Sequence, residues 1–298
     1  MHQENNPAVK GTLYVVATPI GNLQDITLRA LDILRSVDAI AAEDTRNTSH
    51  LLNHFAIGAK LMALHEHNEY QAAARLIEML QSGKSLALVS DAGTPAVSDP
   101  GAHLVARVRE AGFRVVPIPG ANAAISAFSA AGITAPHFLF YGFLPHSSSG
   151  RKRELATLKG LPYSLVFYES PHRIVASMAD LREVLGGGRT VTIARELTKL
   201  FETIHTCTLE AALDWLEADQ NRQKGEFVLL VSGAEIDEAV GVGEEAQRTL
   251  QILLAEMPLK QAVKLAAEIS GAKKNALYEL ALQSKASGHK LTGVGNGS

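Results

Sequence analysis

Short apolar segments alternate with segments of helical periodicity along most of this chain. Residues 12–18 form a β-branched run that stops at Pro19 and Gly21, as a buried strand does. The following stretch, residues 25–37, places Leu28, Leu31, Leu34 and Val37 at helical spacing. The same pattern predicts further strands at residues 39–42, 61–64, 85–89 and 114–118, and helices at 69–80 and 100–111. Such alternation predicts an α/β fold whose mostly parallel sheet is covered on both faces.

A break in the pattern divides the chain near Gly120. Pro117 and Pro119 interrupt regular structure, and a small apolar stretch, residues 121–131, suits a tightly packed helix. A second α/β set follows, with strands predicted at residues 138–141, 164–168, 190–194 and 227–231 and helices at 151–158, 174–185 and 209–218. Residues 203–208 could add one strand, since their β-branched content is high. We therefore expect two α/β domains, residues 11–120 and 121–235, the second with mixed connections.

The remaining part of the chain is helical in pattern. Residues 259–270 and 272–282 predict two short helices joined by a turn at Gly271, and Pro258 stands where a helix start tolerates proline. We expect a helix-turn-helix-like extension at residues 244–284. The polar, glycine-rich residues 285–298 predict a disordered tail.

Composition restricts the function classes. With 46% hydrophobic and 20% charged residues, the 298-residue chain is globular, and its net charge of −3 requires that any nucleic-acid contact use local basic patches. The single cysteine, Cys207, excludes an internal disulfide and, in its β-branched context, predicts an inert thiol. The polar residues 1–7 lack a signal-peptide pattern, and no apolar run is long enough to cross a membrane. We expect a cytoplasmic protein with no membrane partner.

Polar and glycine-rich segments follow six of the predicted strands, where ligands bind in open α/β sheets. These segments are residues 18–22, 43–46, 90–95, 119–122, 168–173 and 195–199. Any one of them alone is better explained as an ordinary turn. The six together, three of them with charged groups, favour a ligand site.

Several familiar site motifs are absent from the sequence. It contains no phosphate-binding GxxxxGK[ST], no GxGxxG after the first strand and no GxSxG. The run His65-Glu66-His67 could bind zinc, but no second His or Cys pair accompanies it, so a turn before the next helix is favoured. We therefore predict no metal site.

Several long blocks of sequence resemble the tetrapyrrole methylase-like superfamily, in the branch that modifies ribosomal RNA. They are VATPIGNLQDIT (16–27), AAEDTR (41–46), LVSDAGTPAVSDPG (88–101), VVPIPGANAAISA (115–127), GFLP (142–145), VFYESPHR (166–173), ARELTK (194–199) and KGEFVLLV (224–231). The resemblance implies a two-domain tetrapyrrole methylase-like (class III methyltransferase) α/β fold with a C-terminal helical extension. It also implies a homodimer that binds S-adenosylmethionine in a cleft between the domains.

The same resemblance implies an activity and a cofactor site. Members of this branch methylate the ribose 2'-oxygen of a cytidine in the decoding region of 16S ribosomal RNA, so the expected partner is that RNA or the small ribosomal subunit. Matched position by position, the cofactor-binding residues are Pro19, Ser90, Asp91, Ala92, Gly93, Ala121, Asn122, Ala123, Tyr168, Glu169, Gly225 and Glu226. The small-molecule methylases carry a GxGPGD-type first loop, whose acidic end is lost here at Asn22. This departure disfavours a tetrapyrrole substrate.

Methyl transfer to a hydroxyl needs alignment and a proton acceptor but no metal. Carboxylates at strand ends that could help are Asp44, Glu169 and Glu196. We hypothesise that Asp44 and Arg46 line the substrate side and that Glu169 lies near the reacting group. An ordinary ion-pair network explains these residues equally well.

Two patches of basic residues could contact RNA phosphates. The first is a predicted flexible loop, residues 146–153, that ends in Arg151, Lys152 and Arg153; the alternative is a solvated linker. The second is the helical extension with Lys260, Lys264, Lys273 and Lys274. Arg173 and Lys199 are further candidates. Two other functions stay open: a small-molecule methyltransferase of tetrapyrrole type, and a non-enzymatic nucleic-acid-binding protein.

Overall fold

The first part of the chain folds around a five-stranded parallel sheet. The computed structural model describes residues 8–65, 68–235 and 243–286. The strands of this sheet are β1 Thr12–Val16, β2 Ala39–Ala42, β3 Leu61–Ala63, β4 Leu86–Val89 and β5 Arg114–Ile118, in the order β3-β2-β4-β1-β5. Its helices are α1 Leu28–Ser36, α2 Thr45–His54, α3 Glu69–Gln81 and α4 Ala102–Glu110. The carboxyl ends of all five strands therefore lie at one edge of the sheet.

Apolar side chains of the first sheet alternate between two cores. Tyr14 and Val16 of β1 pack on the side of α1, whereas Leu13 packs on the side of α3 and α4. This alternation follows from the two-residue repeat of a strand whose two faces are both covered. Helices on both faces leave the strand ends as the open edge where a ligand can bind.

The second part of the chain contains a mixed sheet. Its strands are β6 Phe138–Phe143, β7 Ser164–Glu169, β8 Thr190–Arg195, β9 Thr203–Thr208 and β10 Phe227–Val231, in the order β6-β7-β10-β8-β9. The pair β6–β7 is parallel, and the other pairs are antiparallel. The helices are α5 Ala123–Ala130, α6 Ser148–Leu158, α7 Ile174–Leu185 and α8 Leu209–Glu217. Helix α5 packs on one face, against Val166 and Val228, and the other three pack on the opposite face.

One helix was not predicted, and one local prediction is wrong. Helix α2 was not predicted, because its sequence is polar and it buries little more than Thr48 and Leu52. The predicted flexible loop at residues 146–153 is helical from Ser148 onward, since the Ser147 side chain accepts a bond from the Gly150 N–H and caps α6. The three cations of this segment are therefore held on a helix.

The C-terminal part forms a compact unit of its own, which begins at Glu235. Its helices are α9 Glu244–Glu256, α10 Leu259–Ser270 and α11 Lys274–Ala286, packed around Leu250, Val263 and Leu277. Gly271 ends α10 in the left-handed conformation, with φ of 71°. Of the predicted disordered tail, residues 285–286 end α11 and the rest lie outside the described residues. None of the helices in the described ranges has the length and hydropathy needed to span a membrane.

Candidate functional site

A cavity of about 390 Å³ lies at the strand ends of both sheets, within the compact unit that ends at Ala234. The loops after β1, β4 and β5 line one side, and the ends of β7, β8 and β10 line the other. Its volume falls in the range typical of small-molecule sites. Five of the six polar segments of the sequence thus contribute to a common space, as the α/β pattern predicts, whereas no residue of the segment 43–46 lines it.

Seven of the predicted cofactor residues line this cavity. They are Ala92, Gly93, Asn122, Ala123, Tyr168, Glu169 and Glu226. The remaining five precede cavity-lining residues in the chain and support the same loops; they are Pro19, Ser90, Asp91, Ala121 and Gly225.

The loops after β1 and β4 are bonded to each other through main-chain groups. The Thr18 N–H donates to the Gly93 carbonyl at 2.9 Å, and the Gly93 N–H donates back to the Thr18 carbonyl at 3.0 Å. The Thr18 hydroxyl also donates to the Ser90 carbonyl at 3.1 Å. Gly93 has φ of 83°, which a residue with a Cβ adopts only with strain. Glycine therefore lets this loop close one wall of the cavity.

The opposite wall is aromatic and is tied to α5. The Tyr168 ring makes edge-on contacts with Phe140 and Phe143, at centroid distances of 5.0 and 5.5 Å. Its hydroxyl accepts a bond from the Ala124 N–H at 3.3 Å, and burial raises the pKa of the phenol. The Asn122 side chain caps α5 by accepting from the Ile125 N–H. Asn122 therefore shapes the wall, and its side-chain oxygen is already bonded.

Sequence reasoning missed one carboxylate of the cavity, Asp99. It lies further along the loop after β4, beyond the strand-end residues on which the prediction concentrated. Burial raises the pKa of Asp99 to about 6; nearby Glu43 and Asp91 also raise it, and a bond from the Ser90 hydroxyl lowers it. The sequence does contain a signal for it: the block SDAGTPAVSDPG repeats the Ser-Asp pair, first as Ser90-Asp91 and then as Ser98-Asp99.

Glu169 does not fit the catalytic role predicted for it. Its side chain is buried, accepting the Ser170 N–H at 2.8 Å and the Ser177 hydroxyl at 2.5 Å. The Arg173 Nε lies 3.2 Å from its Oε1, and Arg173 also donates to the Leu144 carbonyl at 2.7 Å. Glu169 and Arg173 therefore hold the β7–α7 turn together, which also corrects the prediction that Arg173 binds RNA.

Asp44 and Arg46 lie together at the start of α2, outside the set of cavity-lining residues. Arg46 Nη2 is 2.7 Å from Asp44 Oδ2, and bonds from Arg46 hold the pKa of Asp44 down at about 2. The Asp44 N–H donates to Asp91 Oδ1 at 3.1 Å, which links α2 to the cavity loop. A carboxylate of such low pKa is a poor proton acceptor, so Asp44 fits an orienting role better than that of a base.

The basic residues of α6 differ in their exposure. Arg151 is buried, with Nε 2.7 Å from Asp180 Oδ2, so the structure contradicts its predicted RNA contact. Lys152 lies 2.6 Å from Glu183, and Arg153 is exposed. Lys199 bridges Glu196 and Glu226, each at 2.9 Å, which joins a predicted RNA residue to a predicted cofactor residue.

Four lysines of the C-terminal unit are exposed: Lys260, Lys264, Lys273 and Lys274. Lys264 lies 3.9 Å from Glu268. A surface pair of this kind is weak and leaves the ammonium free to exchange partners. The four side chains therefore remain available to an anionic ligand.

Metal and thiol chemistry find no support in the described residues. No group of three or more His, Cys, Asp or Glu side chains within residues 8–65, 68–235 and 243–286 is placed to hold a metal ion. Two residues of the run His65-Glu66-His67, Glu66 and His67, lie outside those ranges. Burial raises the pKa of the Cys207 thiol, which keeps it protonated and unreactive.

Comparison with known proteins defines the class. A family model described as Tetrapyrrole (Corrin/Porphyrin) Methylases matches residues 12–213. Uroporphyrin-III-C-methyltransferase from Thermus thermophilus has the same fold, with a TM-score of 0.52 and 20% identity over 74% of this chain and 94% of its own. Diphthine synthase superposes with a TM-score of 0.58 and 16% identity over 74% and 90% of the two chains. The expected class III methyltransferase fold is therefore confirmed.

Curated relatives identify the branch. Ribosomal RNA small subunit methyltransferase I of Escherichia coli O157:H7 is 55% identical over 92% of this chain and 96% of its own length. The protein of the same name from Pseudomonas aeruginosa is 53% identical over 92% and 97%. A second family model, described as RsmI C-terminal HTH domain, matches residues 240–285. The chain belongs to the family of ribosomal RNA small subunit methyltransferase I.

Proposed function

We propose that this protein transfers a methyl group from S-adenosylmethionine to the ribose 2'-oxygen of a cytidine in the decoding region of 16S ribosomal RNA. The observation that carries the proposal is the match, 55% identical over 92% of the chain, to a relative named as a ribosomal RNA small subunit methyltransferase. The lost acidic end of the first loop supports RNA over a tetrapyrrole as the substrate.

The cavity suits an adenosyl sulfonium. Its lining includes three carboxylate residues, Asp99, Glu169 and Glu226, and, among the described residues, no Lys or Arg. An acidic, partly apolar space favours a ligand that combines a cationic centre with an aromatic ring. Main-chain groups of Ala92, Gly93 and Ala123 would hold the donor, with the ring of Tyr168 beside it. The donor supplies the electrophilic methyl group.

The chain's own part in the reaction is to position the hydroxyl and to exclude water. We propose that Arg46, Arg153 and the four lysines of the C-terminal unit bind RNA phosphates, because these cations are exposed. Asp44 orients Arg46, to which it is paired. The substrate is the RNA or the small subunit that contains it, and the enzyme acts in the cytoplasm as a homodimer. Sedimentation analysis tests the dimer.

Donor binding and transfer test the function together. S-adenosylmethionine at 100 times its Kd should stabilise the folded chain by about 2.7 kcal/mol in a thermal-shift assay. Labelled methyl should then appear in 16S RNA of small subunits that lack the modification. If S-adenosylmethionine does not change the Tm, the protein is a non-enzymatic binding protein. Transfer of the methyl group to a tetrapyrrole instead of RNA would identify a small-molecule methylase.

A further inference from the structure

The cavity contains one carboxylate that no basic side chain neutralises. Of the three acidic residues that line it, Glu169 is bonded to Ser177 and Arg173, and Glu226 is paired with Lys199 at 2.9 Å. Asp99 forms no ion pair with any residue in the described parts of the chain, and a bond from the Ser90 hydroxyl only lowers its pKa. A group that must exchange a proton needs this freedom.

The loop that carries Asp99 is held in a strained conformation. Ala96 and Ser98 are in the left-handed region, with φ of 65° and 63°. Residues with a Cβ adopt this conformation only where the surroundings impose it, and such positions concentrate at functional sites. The strain lies immediately before Asp99 and fixes the direction in which its carboxylate leaves the loop.

Contacts hold the loop on both sides of Asp99. At its far end, buried Glu69 accepts the N–H groups of Gly101 and Leu104 at 3.1 and 3.0 Å. On the near side, Ser98 packs against Gly142 of β6. A Cβ at position 142 would lie 2.6 Å from the Ser98 Oγ, so glycine is needed there to leave room for the Ser98 side chain. A loop held in this way positions Asp99 before any ligand binds, which is how catalytic groups are preorganised.

The surroundings of Asp99 tune its basicity. Burial, opposed by the bond from Ser90 and assisted by the negative charges of Glu43 and Asp91, raises its pKa to about 6. Tyr168, on the opposite wall, is uncharged at neutral pH, and burial raises the pKa of its phenol further above its ordinary value. At neutral pH Asp99 is ionised, yet it is a far better proton acceptor than Asp44, whose pKa is about 2.

We propose that Asp99 is the catalytic carboxylate that accepts the proton of the ribose 2'-hydroxyl. The hydroxyl oxygen forms its bond to the donor's methyl carbon while its proton passes to Asp99. The carbon–sulfur bond breaks, and its electron pair stays on sulfur. This assignment rests on the proposed function, since it requires a ribose hydroxyl as the nucleophile.

The test compares Asp99→Asn and Asp99→Glu with Asp32→Asn, a control on the exposed part of α1. Single-turnover transfer should fall about 100- to 10,000-fold in D99N, partly recover in D99E and stay unchanged in D32N. Below pH 6 the wild-type rate should rise about tenfold per pH unit, and this dependence should be lost in D99N. The donor Kd, measured by calorimetry without RNA, should rise by less than about tenfold, because Asp99 is only one of the three carboxylates that favour the cationic donor.

Three results would overturn the assignment. They are full transfer by folded D99N, an unchanged pH profile in D99N, and a donor Kd raised more than tenfold, which would make Asp99 a donor ligand. If D99N does not fold, a carboxyl ¹³C titration of wild-type Asp99 decides, and an ordinary pKa near 4 refutes the proposal. Failure of the wild type to methylate ribose in the same assay would instead refute the proposed function.

Discussion

Replacing Arg151 with methionine separates a structural role from an RNA-binding role. The Arg151 side chain is 5% exposed and its partner Asp180 is 7% exposed. Nε lies 2.7 Å from Asp180 Oδ2, and Nη1 donates to the His146 carbonyl at 2.8 Å. Methionine fills similar space but leaves the Asp180 charge buried without its main partner.

The expected cost follows from these contacts. Removing one partner of a buried ion pair costs about 3–5 kcal/mol. The lower end applies here, because Asp180 keeps the Ser148 hydroxyl at 2.8 Å and Lys152 at 3.7 Å. For a unit that ends at Ala234, about 3 kcal/mol corresponds to a fall in Tm of about 6–12 °C.

Thermal unfolding and RNA binding together decide between the two roles. Arg153→Met is the matched control, since Arg153 is exposed on the same helix. It should change stability by less than about 0.5 kcal/mol and weaken RNA binding. An unchanged Tm for R151M, together with weaker RNA affinity, would refute the structural role and show instead that Arg151 binds RNA.

Three further predictions concern the cavity and the C-terminal unit. Asp99→Asn should raise Tm at pH 8, because the wild type holds a desolvated charge there. The gain should shrink as pH falls from about 6 and vanish below the ordinary carboxyl pKa of 3.8, where the group is neutral in both the folded and the unfolded state. Gly93→Ala should cost about 1–2 kcal/mol and weaken donor binding in calorimetry, because φ is 83°. Reversing Lys273 and Lys274 to Glu should reduce RNA affinity and its salt dependence, with donor Kd unchanged. Equal RNA affinity at all salt concentrations would count against that surface.

The sequence predicted the strands and the position of the cavity well, because both depend on local pattern. Strand β10, for example, is an apolar run flanked by Gly225 and Gly233, and the parallel strands of the first sheet bring their carboxyl ends to one edge. Helix α2 was missed for the opposite reason. Its residues are mostly polar and exposed, so periodicity carries little signal.

The roles of charged residues could not be predicted from local pattern. Arg151 and Glu169 are paired with Asp180 and Arg173, and such pairing decides whether a charged group is free to act. For Arg151 the partner is 29 residues away in sequence. The basicity of Asp99 likewise depends on burial and on charges contributed by the loops after β2 and β4. Only the folded chain brings these groups together.

Mapping the position of the transferred methyl group decides whether the protein is a ribose methyltransferase of 16S RNA. Small subunits lacking the modification are incubated with the protein and isotopically labelled S-adenosylmethionine, and the 16S RNA is digested to nucleosides for mass spectrometry. We expect label in 2'-O-methylcytidine from the decoding region. Label on a base, label at another ribose, or no transfer by a folded protein that binds the donor would contradict it.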